Sequence, residues 1–364
     1  MRTRKELREF VQLTWPLYKG NGHWVPPLIS DLEAMLTPGK NPFWEHAERE
    51  LFIAEKDGAI AGRIAATICR NHNKLYNEQT GFFGFFESVD DREVAHALIA
   101  SASDWLREKG MTHIRGPMNP NINEEIGLLV DGFDQDPYVM MPYTLAYYPA
   151  LLEGEGLKKI KDVYAYEAYT KDGMPEKVER IVGLLKKRYK VNVRPINMKK
   201  LDEEARLLKI VHDEAWKENW GAVPFTEAEF EHIVKQLKPI AVPDIVPIVE
   251  LDGKPVAMAV AVPDANQILR FANGKMFPFG FLKVLFNQNK VNRIRILILG
   301  VLSKYRKYGF DALLYYSVFK GVEKHGFKGG EFSWILEDNV DIIRIIESWG
   351  SKRTKTYRIY QKPL

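Results

Sequence analysis

Apolar and polar positions alternate along this chain in two closely similar stretches. Leu51-Phe-Ile-Ala leads to Asp57-Gly58 and then to an apolar run over residues 59–68, which predicts a hairpin closed by a tight two-residue turn. The pattern recurs as Ile248-Val-Glu-Leu, Asp252-Gly253 and an apolar run over 255–262. Each hairpin precedes a further strand (82–88; 294–301), a helix (93–109; 311–325) and another strand (111–115; 330–334). Two copies of one α/β unit follow from this repeated order.

Between the copies, Val178, Ile181, Val182, Leu184 and Leu185 fall at helical spacing behind Pro175, so a helix is expected over 175–189, followed by extended Val191-Asn-Val-Arg-Pro195. The expected organisation is a first domain over residues 1–170, a connecting helix over 171–190 and a second domain over 191–364. At the start, Leu7, Phe10, Val11 and Leu13 share one side of an amphipathic helix, expected to pack on its own domain and to stop before Trp15-Pro16.

Composition narrows the class. With 46% hydrophobic and 27% charged residues in 364, the chain has the make-up of a folded protein with more sequence than one core usually serves. Its formal charge of +4 is small, so nucleic acid is not expected as a partner and any basic site must be local. The single cysteine, Cys69, has no internal disulfide partner, and no cysteine–histidine spacing suits a metal; a reducing cytoplasm is the expected setting. No apolar run reaches the roughly 20 residues of a membrane span, and the first ten residues lack a signal peptide's apolar middle, so membrane insertion is not expected.

The chemistry concentrates in residues 295–315, where an apolar strand runs into Ser303-Lys-Tyr-Arg-Lys-Tyr-Gly309 and then a helix. Free backbone N–H groups at that helix start, beside Arg306 and Lys307, suit a phosphate-bearing ligand. A second polar region, Glu331-Phe-Ser-Trp-Ile-Leu-Glu-Asp-Asn339, ends a strand and opens a helix over 340–349. The junction at 295–315 suggests an acyl-CoA site, and transfer of the acyl group to an amine there would need a proton acceptor and backbone donors that polarise a carbonyl. Glu337 is the candidate base, with a helix-start carboxylate as its other reading. Tyr357 and Tyr360 are candidate phenols, packing residues on the other reading.

This order of elements, over nearly the whole chain, resembles a tandem pair of domains of the GNAT superfamily of acyl-CoA-dependent N-acyltransferases. The resemblance implies an α/β (α+β) fold in which each copy is a mixed, mostly antiparallel twisted sheet flanked by helices. It implies acetyl-CoA or another acyl-CoA as donor and a small-molecule or peptide amine as acceptor. In the family's Arg/Gln-x-x-Gly-x-Gly/Ala turn, Arg306 and Gly309 match, so the diphosphate is expected on the turn formed by Arg306, Lys307, Tyr308, Gly309, Phe310 and Asp311. Asp311 departs from the second glycine. At roughly 6 Å and a dielectric near 20, its carboxylate would repel one phosphate charge by about 3 kcal/mol, so it is expected to face away from the ligand and to favour the positive end of the helix. The resemblance also places an oxyanion donor near Gly300 and Val301 and a CoA-arm contact at Asn339, a position that a plain helix N-cap at Asn339 or Asp338 explains equally well. Where many members carry an acidic tyrosine, this chain has Ile346.

For the acceptor side, Asn219 and Trp220 lie in an interhelical turn, and Asp264 and Asn266 follow the second hairpin; each also reads as ordinary turn chemistry. The first copy has Val89-Asp-Asp-Arg-Glu93 where the turn should be, so it is expected not to bind CoA and to act as scaffold or acceptor platform. Its loop over 116–125 is rich in asparagine and reads first as a set of turns, and His72 reads as a hydrogen-bonded surface residue. The leading expectation is an acyl-CoA N-acyltransferase. The alternatives are a non-catalytic CoA-binding pseudoenzyme, suggested by Asp311 and Ile346, and an aminoacyl transferase of the peptidoglycan-bridge type, which the modest charge disfavours.

Overall fold

The computed structural model describes residues 3–364. Its elements begin with α1 (Arg4–Gln12), α2 (Thr14–Leu17), α3 (Ile29–Met35), β1 (Ala47–Lys56), β2 (Ala59–Cys69), α4 (Arg70–Tyr76), β3 (Thr80–Ser88) and α5 (Arg92–Glu108). There follow β4 (His113–Gly116), β5 (Met118–Asn119), β6 (Glu125–Ile126), β7 (Leu128–Asp131), α6 (Tyr148–Gly154), β8 (Lys158–Tyr169), α7 (Glu176–Arg188) and β9 (Val191–Pro195). The remainder comprises α8 (Leu201–Trp216), α9 (Glu227–Leu237), β10 (Pro247–Leu251), β11 (Lys254–Pro263), α10 (Asn266–Leu269), α11 (Gly280–Phe286), β12 (Arg293–Val301), α12 (Phe310–Lys324), β13 (Gly329–Leu336), α13 (Val340–Glu347) and β14 (Lys352–Pro363).

The expected contiguous halves give way to interleaved units. One holds residues up to 163 together with 268–288 and 355–364; the other holds 164–267 and 289–354. The division falls inside β8, and the last strand from Lys355 onward, read from sequence as the end of the second domain, belongs to the first unit. There β14 runs antiparallel to β4, with Tyr360 opposite Gly116, and the Arg358 guanidinium donates to both oxygens of Asp162 at 2.9 and 3.1 Å. Nor is α7 a connector: Val178, Val182 and Leu185, three and four residues apart, are buried in the second unit's core.

Within the first unit the ladder runs β1-β2-β3-β4-β14, antiparallel except for the parallel pair β3–β4. On one face α5 and α6 supply Leu98, Ile99, Leu106, Tyr148 and Leu152; on the other, Phe10 and Val11 of α1 and Ile29 of α3 meet Leu51 and Phe85. The second unit repeats the plan as β13-β12-β11-β10-β9, with β12–β13 parallel. Phe310, Leu313 and Leu314 of α12 pack with α7 on one face, while Leu208 and Val211 of α8 and Phe230 of α9 cover Ile248 and Met258 on the other. Both hairpin turns carry Asp-Gly with positive φ at each position, 53° and 76° at Asp57-Gly58 and 51° and 76° at Asp252-Gly253, the twist that suits right-handed strands.

Candidate active site

The second unit has an opening in its sheet. Strands β12 and β13 pair in parallel from Arg293 opposite Gly329 to Ile296 opposite Phe332. Beyond that pair they separate, although β12 continues to Val301 and β13 to Leu336. The far side of β12 stays bound to β11, with Met258 opposite Gly300 and Ala257 opposite Val301. Leu302 N–H donates to the Val256 carbonyl at 2.9 Å. Because exchanging pairs recur at every second residue of an antiparallel ladder, Gly300 directs its N–H toward Met258, whereas Leu299 and Val301 direct theirs away from β11, into the opening. Of the two residues expected to mark the oxyanion donor, only Val301 turns its amide into the opening.

Gly300 has a different requirement. A Cβ there would lie 2.5 Å from the Trp216 ring and 3.0 Å from Ala215 Cβ. The glycine lets the C-terminal end of α8 approach the strand, and Trp216 in turn stacks on His212 at 4.8 Å and 13°. Gly300→Ala is therefore expected to displace Trp216 and to cost about 1–3 kcal/mol of stability in thermal unfolding.

Past Val301 the chain tightens into a 3₁₀ turn, Ser303–Tyr308, and enters α12 through Gly309 at φ 83°. Only glycine takes that conformation without strain, and having no side chain it cannot cap the helix. The expected basic lining is already engaged. Arg306 donates through Nη1 to Glu218 Oε2 at 2.6 Å and through Nη2 to the Ala215 carbonyl at 2.9 Å, tying the turn to the end of α8. Lys307 and Tyr308 are exposed, and Tyr308 joins Tyr189, Tyr305 and Phe310 in one aromatic cluster, with Phe310 fully buried. Asp311 lies in the first turn of α12, the positive helix end its carboxylate was expected to favour. Its carboxyl lies against the backbone N–H groups of Asp311 and Ala312, and burial pushes its pKa up despite those contacts.

Glu337 sits half-buried in the turn after β13, and Asn339 occupies the first cap position of α13 without a side-chain cap bond. Ile346 is fully buried in a cluster with Tyr166, Tyr315 and Ile335, so the family's phenol position is a packing site here. Tyr357 corrects the sequence expectation: it is fully buried in the first unit, on β14 opposite Leu129, with its Cβ 2.8 Å from where a Cβ at Gly127 would stand. Asp264 is also wholly buried, accepting from Arg293 Nη2 at 2.9 Å and from Asn266 N–H at 3.3 Å, and is a structural anchor for α10 rather than a cleft residue. Asn219 closes the turn after α8, its N–H donating to the Trp216 carbonyl at 2.8 Å, with Trp220 half-buried beside it. Sequence reasoning missed Trp216 and a cavity of about 80 Å³ lined by Ile294, Ile296, Tyr315, Val318, Phe332 and Trp349. Its apolar walls meet the last paired residues before the strands part. Helical spacing marks Tyr315 and Val318, and strand alternation Ile294 and Ile296, as core, and nothing in the pattern announces a void.

The first unit shows the same divergence after Phe82 opposite Arg115, but its own chain occupies the gap. A Cβ at Gly84 would lie 1.9 Å from the Met118 carbonyl, and Asn119 Oδ1 accepts from Phe85 N–H at 2.6 Å. Asp91 caps α5, accepting from Glu93 and Val94 N–H at 2.8 and 3.4 Å, and Lys56 pairs with it at 2.5 Å. Asn121 accepts from Asn123 N–H at 2.8 Å, as turn chemistry predicts. His72, expected on the surface, is buried beside Glu78 at 3.3 Å, and burial lowers its pKa.

No family model matches the chain. It is 35% identical over its whole length to the bacterial ceramide synthase of Caulobacter vibrioides (strain NA1000 / CB15N), covering 96% of that protein. It is 33% identical over 99% of its length to the protein YghO of Escherichia coli (strain K12), covering 94%. Among solved structures, a tandem GNAT protein from the clavulanic acid biosynthesis pathway aligns over 99% of this chain and 96% of its own, with a TM-score of 0.59 and 12% identity. The fold is a tandem GNAT fold, and the chain belongs to the family that includes the Caulobacter ceramide synthase and YghO.

Proposed function

We propose that this protein is an acyl-CoA-dependent N-acyltransferase whose second unit holds the donor, and that its acceptor is the primary amine of a long-chain amino alcohol, giving a ceramide-type amide. The divergence of β12 from β13, with the Val301 N–H turned into the gap, carries the acyl-transfer reading. The name of the Caulobacter relative supports the substrate class. A thioester laid in the opening would place its carbonyl oxygen at the Val301 amide, where charge develops as the amine nitrogen adds. The C–S bond then breaks, and the amine proton passes to Glu337, directly or through water. With Ile346 buried, no phenol at that position protonates the thiolate. Glu337 is proposed as the base and Asn339 as a contact for the CoA arm; Asn219, Trp220 and Asn266 are proposed for the acceptor side.

The diphosphate end must compete with groups the protein already supplies. CoA binding at the turn would require Arg306 to exchange Glu218, an exposed pair worth about 1 kcal/mol or less, for phosphate. Glu218→Ala is accordingly expected to tighten CoA by up to about fivefold, and Arg306→Ala to weaken it about tenfold, in isothermal titration. Because the Asp311 pKa is raised by burial, CoA affinity is expected to improve as pH falls through its titration. The first unit's plugged gap and Asp91 cap favour its role as scaffold.

The apolar cavity offers room for an alkyl chain beyond the thioester. Val318→Phe is expected to lower the ratio of long-chain to acetyl turnover by roughly tenfold or more, read from competing donors. The reaction itself is tested by incubating the protein with long-chain acyl-CoA and sphinganine, measuring free thiol release and N-acyl product by mass spectrometry. Thiol release without amide, or no turnover across chain lengths and amines despite CoA binding, would replace the proposal with the pseudoenzyme reading.

A further inference from the structure

Eleven large hydrophobic side chains are exposed among the described residues, and five of them fall within ten positions: Phe277, Phe279, Phe281, Leu285 and Phe286. They occupy α11, from its first turn to its last residue, and the turn before it, in the part of the first unit contributed by residues 268–288. Phe277 and Phe286 are 83% and 79% exposed. Phe281 and Leu285, four residues apart, share one side of the helix. Scattered apolar residues on a surface need no explanation, but four phenylalanines and a leucine at one tip do.

The base of this segment is firmly held. Arg270 pairs with Asp136 at 3.0 Å, Asn273 Oδ1 accepts from Trp15 Nε1 at 3.1 Å, and Ile29 N–H donates to the Gly274 carbonyl at 3.0 Å. A Cβ at Gly274 would lie 2.2 Å from the Trp15 ring, so the Trp15 ring is packed directly against the segment. The aromatic tip is thus presented on an anchored stem. Its charge has one sign: Lys275 and Lys283 are exposed, and the sequence contains no aspartate or glutamate between Asp264 and Asp311.

We propose that this tip is a peripheral membrane anchor, in which the phenylalanines enter the acyl-chain boundary of an anionic bilayer while Lys275 and Lys283 meet its headgroups. No helix among the described residues is long and apolar enough to cross a membrane, so the attachment is interfacial. Charge complementarity selects the occupant, since projecting apolar rings among lysines match an anionic lipid surface. The apolar area exposed, on the order of 600 Å² for five such side chains, is also short of the roughly 800 Å² per partner of a standard protein interface.

The test is sedimentation of the full-length protein with sucrose-loaded vesicles, without substrate, so that its outcome is independent of acyl transfer. Vesicles of phosphatidylcholine alone are compared with vesicles containing phosphatidylglycerol. Strong binding is expected only to the anionic vesicles, and it should fall at high salt. The variant F277S/F279S/F286S, at sites too exposed to disturb folding, should reduce partitioning by at least about 100-fold. K275E/K283E should reduce it by at least about 30-fold while leaving the apolar tip intact. Absent binding, or binding unchanged by the phenylalanine variant, would overturn the proposal. So would a dimer in light scattering that the same variant converts to monomer without any vesicle binding, which would assign the tip to a second copy.

Discussion

Val301→Pro is expected to lower the acylation rate by about 10²–10³-fold while leaving the fold intact, the range typical of removing one oxyanion donor. Proline deletes a single N–H. At Val301 that N–H faces the opening rather than β11, and proline is tolerated in a strand where no ladder bond is lost. The neighbouring substitution is the control. Gly300→Pro would remove the donor aimed at Met258 and add atoms against Trp216, so it should unfold the region rather than slow the chemistry. Single-turnover kinetics together with circular dichroism separate the two: a Val301→Pro protein that melts normally and turns over at the wild-type rate would remove the amide from the reaction.

Arg63→Leu is expected to destabilise the first unit by about 3–5 kcal/mol, because it leaves a buried carboxylate without its cation. Arg63 is buried on β2, donates through Nη1 to the Phe10 and Val11 carbonyls at 2.7 and 3.2 Å, and approaches Glu87 at 3.6 Å through Nη2. Those carbonyls are among the last of α1, which the helix itself cannot satisfy. Tyr18 and Tyr148 donate to Glu87 at 3.0 and 2.7 Å, and burial holds both phenols well above their ordinary range, in the donating form. Burial also raises the Glu87 pKa, with Arg63 and the two phenols pulling it back. An acid whose folded pKa lies above its unfolded value loses stability as pH rises between the two. Wild-type stability should therefore decline as pH rises from about 4.5 through the raised Glu87 value. Glu87→Gln should flatten that slope, and Arg63→Leu should steepen it, both visible in thermal melts across that window.

Much of the second unit's site is legible in residues that are close along the chain. Gly309 stands where a backbone with φ of 83° must enter a helix, and the apolar run before it supplies the strand that ends at the opening. Asp-Gly pairs mark both hairpins because few other residues take positive φ twice in succession. The errors share a cause. Asp264 looks like a cleft carboxylate until Arg293 is seen beside it. Arg306 reads from sequence as a free cation, whereas Glu218 and the Ala215 carbonyl, some 90 residues earlier, already hold it. Periodicity tells which side of an element is apolar, not what lies against a polar group.

By itself, the sequence determined the duplicated α/β plan, the two turn types, the helix faces and the absence of an Arg-x-x-Gly turn in the first copy, since all of these follow from local propensity and spacing. Only the tertiary structure decided that β14 closes the first unit, that the first copy's gap is filled by Met118 and Asn119, and that Val301 rather than Gly300 turns its amide into the second gap. Those outcomes depend on strand register and on close approaches between residues far apart in the chain, where a shift of one position reverses which way every amide points.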